Sequence, residues 1–256
     1  MTTMFTKNND YKLRTMMKNF LGLATMALLL VFTTSCEKES TTGPEEALSE
    51  EEVVAVVEGA LVMETEGITA EAIDAATTSD EYLEKNNGPC NASFDTTVVR
   101  SYSGARISSS YTSHWGWTVH CNDMLVPNLL DFSRTTVGIY ETLRMSSDDN
   151  ASSNWTIDNL ITGDNYVIDG NYTREGSQVS KVRSQNSFES SLAVTVTDLN
   201  VHKELKRIES GSATYALSGE SSTGTSFLYE GEIIFLGNGS ATVTINGNTY
   251  EVDLFE

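Results

Sequence analysis

From residue 90 onward one rule constrains the chain. Apolar and polar side chains alternate with a period of two, and the alternation stops only at short turn signals. Trp115, Trp117, Val119 and Cys121 share one face of an extended segment, and His114, Gly116, Thr118 and His120 share the other. The same pattern returns at Leu192, Val194 and Val196, at Ala213, Tyr215 and Leu217, and at Phe227, Tyr229, Ile233 and Phe235. It closes with Ala241, Val243 and Ile245, then Tyr250, Val252 and Leu254. Gly237-Asn238-Gly239 marks a turn, and Asn246-Gly247 is the type I′ pair whose twist suits a two-residue hairpin. Asp148-Asp149-Asn150 reads as a loop and Gly163-Asp164-Asn165 as a turn. Residues 166–173 and 177–182 read as a hairpin turning at Glu175-Gly176, and 129–145 as a long run interrupted by Gly138. No helical period separates these segments, so residues 87–256 are expected to form a mainly β, antiparallel up-and-down meander. The alternation requires one wet face. It leaves open a curled open sheet, a barrel or a sandwich.

Residues 48–86 follow a different period. Ser49 with Glu52 three residues on is a capping box, and Leu48 can staple to Val53. Glu50, Glu51 and Glu52 occupy the first turn, where the helix dipole favours negative charge. Val53, Val57, Ala60 and Leu61 share a face at helical spacing, and Gly67 is the expected stop. Residues 69–76 and 79–85 are expected as two further short helical turns. Residues 37–86 carry fifteen acidic and two basic side chains, which makes this a small acidic helical segment. Its acidic side chains read as the solvated face of helices packed on the β domain.

Ahead of it lies FLGLATMALLLVFTTSC, Phe20 to Cys36. Lys7, Lys12, Arg14 and Lys18 precede it against Asp10 alone. A positive head, a short apolar run and small residues at its end make a secretory signal over residues 1–35. The run is shorter than the ~20 residues of a bilayer crossing. Residues 36–47, polar and carrying Gly43-Pro44, read as a flexible tether.

The end of this stretch, Ser35 before Cys36, resembles the lipobox of bacterial lipoproteins. Thr-Ser-Cys followed by charged residues is similar to lipoproteins of the Bacteroidota, although Thr33 stands where leucine is commonest. The resemblance implies that the Cys36 thiol takes a diacylglyceryl group, that the signal is cut before it, and that the new amino group is acylated. It therefore implies a cell-envelope protein lipid-anchored to the outer membrane. Glu37-Lys38-Glu39 is a partial match to the acidic surface-export signal of that group, so periplasmic side and cell surface both stay open. The β region resembles uncharacterised lipoproteins with repetitive β-hairpins, which implies no activity. Asp95-Thr96-Thr97 resembles the short O-glycosylation motif of Bacteroidota envelope proteins.

The net charge is −20, and the leader contributes three positive charges, so the remainder carries about −23. Such a chain is repelled by nucleic acid and anionic headgroups, so membrane attachment falls to the lipid on Cys36. Of three cysteines, Cys90 and Cys121 are left for the fold, and an oxidising compartment makes a disulfide the default over two buried thiols.

No catalytic residues, cofactor or metal site are assigned. His114 and His120 stand ~20 Å apart along an extended strand, too far to share a zinc ion. His202 lies in an expected turn without a visible partner. Asp148-Asp149-Asn150, Asp164-Asn165 and Asp169-Gly170-Asn171 lack calcium-loop spacing, and turn chemistry accounts for them. Glu230 and Glu232 share a strand face as surface charge. The expectation is an envelope lipoprotein with a non-enzymatic binding or structural β domain, whose partner is a protein, a glycan or a lipid. The alternatives are a carrier holding an apolar ligand in a curved-sheet trough, and a glycan or peptide hydrolase.

Overall fold

The Ser49 hydroxyl accepts from the Glu52 amide at 3.3 Å, and Glu52 Oε2 accepts from the Ser49 amide at 2.8 Å. This reciprocal cap starts α1, Glu50–Leu61. A 3-10 turn at Met63–Thr65 follows, then α2, Ile68–Glu84. The computed structural model describes residues 48–84, 90–182 and 186–255. The leader, the tether, Cys36 and Lys85 lie outside them.

Two readings of the helical segment are corrected. Gly67 does not stop a helix: α1 ends at Leu61, and Gly67 opens α2 by accepting from the Glu71 amide. The two short turns are a single α2. Thr77 and Ser79 do not interrupt it, because their hydroxyls donate back to the carbonyls of Ile73 and Ala75 at 2.7 and 2.9 Å.

Ten strands follow: β1 Ser93–Ser103, β2 Ile107–Cys121, β3 Pro127–Thr142, β4 Met145–Asp158, β5 Asn165–Ser180, β6 Ser187–His202, β7 Arg207–Ser221, β8 Ser226–Gly237, β9 Ser240–Ile245 and β10 Asn248–Asp253. Each pairs antiparallel with its sequence neighbour in one sheet, ordered β1 to β10. The expected up-and-down meander is what forms. The sheet is not closed, with β1 and β10 as its two edges. Asn246 and Gly247 take φ of 50° and 85°, the left-handed pair that a type I′ hairpin needs.

The open sheet is strongly curled. In a flat sheet β2 and β10 would lie about 38 Å apart at ~4.8 Å per strand. Yet the adjacent residues Met63 and Glu64 reach both. The Met63 amide donates to the Leu254 carbonyl at 3.0 Å, and the Glu64 carbonyl accepts from the Ser109 hydroxyl on β2. The 3-10 turn thus bridges the gap between the two ends of the sheet.

The inner face holds the core. Met145, Ala151, Trp155 and Ile157 of β4 point inward with Tyr166, Ile168 and Tyr172 of β5. Val53, Val57, Leu61, Ile68 and Ala75 of the helices fill the space between. The outer face is largely Ser, Thr, Asn and acidic residues.

Three turn readings are corrected. Asp148-Asp149-Asn150 lies inside β4, and Asp169-Gly170-Asn171 and Glu175-Gly176 lie inside β5. Asp149 points inward and is buried, 3.0 Å from Arg174 of β5. A polar residue paired across an interior reads like a turn residue when its partner is remote. Gly176 lies opposite Asp149, and a Cβ there would fall 2.5 Å from the Asp148 carbonyl, so glycine serves close strand approach.

The Arg174 guanidinium sits over the rings of Tyr111 and Tyr140, 5.5 and 5.1 Å from their centroids. It donates to the carbonyls of Gly59 and Thr65. One buried cation therefore ties β5 to α1 and to the 3-10 turn.

Candidate functional site

The helices do not cover the sheet evenly. α2 packs on β3, β5, β6 and β7, and no residue of the edge strand β1 is fully buried. Where the inner face of β1 and β2 stands away from α2, a groove of about 600 Å³ opens. That volume falls within the ~300–1,000 Å³ of small-molecule sites.

Three stripes line it. Asp74, Thr77, Thr78, Glu81 and Tyr82 come from α2, at the spacing that stacks residues on one helix face. Phe94, Thr96, Val98 and Arg100 are alternate residues of β1, so they share its inner face. Trp115 and Trp117 come from β2. Phe94 and Trp117 are cross-strand partners, with ring centroids 5.6 Å apart and planes 23° apart. Tyr82 meets the edge of Phe94 at 6.3 Å and 65°. Phe94 and Trp117 form a stacked aromatic platform, with Tyr82 turned at an angle beside it. Phe94 is 38 % exposed.

A charged cluster forms the floor. Arg100 donates to both oxygens of Asp74 at 2.8 Å and to Glu66 at 3.3 Å. Arg134, fully buried on β3, donates to Asp74 and Ser113 at 2.7 Å, to Thr136 at 3.1 Å, and to Glu66. Its guanidinium lies 5.0 Å from the Trp115 centroid, and that of Arg100 at 5.6 Å. The bidentate bond to Asp74 pushes the Arg100 pKa upward, so its charge is fixed.

Glu71 of α2 lies beneath this cluster, fully buried. Its Oε2 accepts from the Trp155 indole at 2.7 Å and from the Ser153 hydroxyl, and its Oε1 has no hydrogen-bond partner, lying 3.9 Å from Arg134. Burial pushes its pKa up, more than Arg134 pulls it down. Every carboxylate of the floor is matched to a sheet residue. The cluster fixes α2 in register on the sheet and so sets the width of the groove.

Cys90 and Cys121 form a disulfide, with Cα atoms 5.6 Å apart, joining the approach to β1 to the end of β2. Both groove-wall strands are thereby held at the end where Phe94 and Trp117 sit.

The histidines have separate, ordinary partners. His114 Nδ1 meets the Thr97 hydroxyl at 3.0 Å, and His120 Nε2 meets Asp131 at 2.8 Å. His202 Nδ1 accepts from the amides of Glu204 and Leu205 at 3.2 Å, closing its own turn, the partner that the sequence did not reveal. Asp169 accepts from the Asp198 amide at 2.9 Å, and Asn171 from the Thr195 hydroxyl at 3.1 Å. Glu230 and Glu232 are exposed on one face of β8. Among the described residues no group of three or more His, Cys, Asp or Glu is placed to hold a metal ion. No helix among them is long and apolar enough to cross a membrane.

The period-two alternation does not reveal the groove: Trp115 and Trp117 share one strand face, yet Trp115 is buried and Trp117 only half-buried, because its neighbour β1 is an uncovered edge. A readable signal existed in the i, i+3, i+4, i+7, i+8 stripe from Asp74 to Tyr82.

No protein-family model, no curated protein and no solved structure matches the chain.

Proposed function

We propose that the protein is a lipoprotein of the cell envelope, lipid-anchored through Cys36 to the outer membrane, whose β domain is a binding module without catalytic activity. The observation that carries the binding half is the groove between α2 and the β1–β2 edge, with its open aromatic platform. A concave site with converging polar groups is the expected form of a ligand site. The anchor rests on the Phe20 to Cys36 stretch.

Two features support binding over the alternatives. A trough for an apolar ligand would need the space that α1, α2 and their buried side chains occupy. A two-carboxylate hydrolase would need two acids in the groove able to exchange protons, and the lining offers only Asp74 beside Glu81. Asp74 accepts two bonds from Arg100 and one from Arg134, so both of its oxygens are engaged by structural partners.

Metabolic labelling with palmitate tests the anchor. Label is expected on the native protein and absent from Cys36→Ala; equal labelling of both overturns the assignment. Turnover of envelope polysaccharide or of casein by the purified full-length protein, lost in Glu81→Gln, overturns the non-catalytic half.

A further inference from the structure

We infer that the groove takes a neutral oligosaccharide, one sugar ring lying on the Phe94–Trp117 platform. This deepens the binding-module reading and rests on it.

Ring stacking is the first ground. Phe94 and Trp117 lie nearly parallel, and Phe94 is exposed at 38 %. The face of an aromatic ring is negative, and the C–H bonds on the flat side of a pyranose are weakly positive, so the two surfaces attract as well as exclude water. Tyr82, its plane turned 65° from that of Phe94, sets a wall against which such a ring would stop.

Polar complementarity is the second. Opposite the platform α2 presents the hydroxyls of Thr77 and Thr78 and the carboxylate of Glu81. Sugar hydroxyls can donate to all three and accept from Thr78, the Thr77 hydrogen being already given to the Ile73 carbonyl. An acyl chain in the same place would strip these groups of water and give nothing back.

Charge is the third. The chain carries −20 overall, which disfavours a polyanionic glycan. The one guanidinium lining the groove, Arg100, is already bound by Asp74 and Glu66, which leaves it engaged rather than open to an anionic ligand. A neutral, hydroxyl-rich ligand with flat apolar faces meets all three conditions.

The test uses the full-length protein in non-ionic detergent that carries no sugar headgroup. The probes are cellohexaose, xylohexaose, mannohexaose and maltohexaose, with a heparin hexasaccharide and oleate as contrasting ligands. Two of the three tryptophans, Trp115 and Trp117, line the groove. A bound neutral hexasaccharide is therefore expected to shield tryptophan fluorescence from acrylamide and to give a titratable heat. Phe94→Ala and Trp117→Ala are each expected to weaken that binding at least tenfold, while Leu228→Ala, on the outer face of β8, leaves it unchanged. Should either aromatic variant lose its circular-dichroism spectrum, Thr78→Val replaces it, with a several-fold loss expected.

Four results overturn the inference. The neutral hexasaccharides produce no shielding and no heat at about 5 mM. Groove variants that keep their fold bind as the native protein does. Oleate shields the tryptophans and no sugar does. The heparin fragment alone binds. Failure here with palmitate still on Cys36 overturns the glycan assignment and leaves the anchored module standing; loss of the label with sugar binding intact does the reverse.

Discussion

Met63 donates its amide hydrogen to the carbonyl of Leu254 at 3.0 Å, joining the helical segment to the last strand across 191 positions of sequence. The residue after β10 is therefore part of the seam, and Leu254 is 1 % exposed. Leu254→Ala is expected to cost about 2–5 kcal/mol, read as a lower urea midpoint at unchanged m-value. Leu228→Ala, at an exposed position of β8, is expected to stay within about 0.5 kcal/mol of the native protein.

Arg134 is the buried cation between α2 and the sheet. Arg134→Met leaves Glu66 and Asp74 without their shared buried partner, a change expected to cost about 3–5 kcal/mol. Arg134→Lys is expected to recover little, because an ammonium cannot copy the fork that reaches Asp74, Glu66, Ser113 and Thr136 together. A double-mutant cycle with Asp74→Asn checks the assignment, and an interaction energy near zero contradicts it.

Glu71 gives the fold a pH dependence with a definite sign. Burial raises its pKa above 4.5 in the folded state, so its contribution is full below 4.5 and fades as pH rises through the folded value. Glu71→Gln keeps an oxygen for Ser153 and Trp155 and cannot ionise. The stability of this variant relative to the native protein is expected to rise with pH from 4.5 upward, by at most about 1.4 kcal/mol per unit. Urea titrations at pH 4, 6 and 8 check it, and a constant difference refutes it.

The Cys90–Cys121 bond closes a loop with a sequence separation of 31. Cys90→Ser with Cys121→Ser is expected to cost about 3–4 kcal/mol on the chain-entropy argument. In a domain of this size that is a fall in Tm of roughly 10 °C. The lost bond also frees the lead into β1, so sugar binding is expected to weaken along with stability.

What the sequence disclosed and what it hid follow a physical division. Features made by near neighbours were legible: the Ser49–Glu52 cap, the Asn246-Gly247 hairpin and the period-two faces of β2, β6, β7, β8 and β9. Features made by distant partners were not. Asp149 and Gly176 look like turn residues until Arg174 and the adjoining strand are known. The curl of the sheet depends on contacts such as Ser109 to Glu64, which no local period encodes. The groove was half legible, since the stripe on α2 can be read, whereas the uncovered edge at β1 depends on where the helices come to rest.

The bridging segment has a kinetic consequence. The filling of this protein is synthesised before its wrapper. Glu50, at the first turn of α1, finds its partners Asn246, Asn248 and Tyr250 about two hundred residues downstream. A chain emerging amino-terminus first therefore holds two acidic helices with their apolar stripes unsheltered until the final hairpin arrives, and assembly must wait on its slowest, most distant encounters.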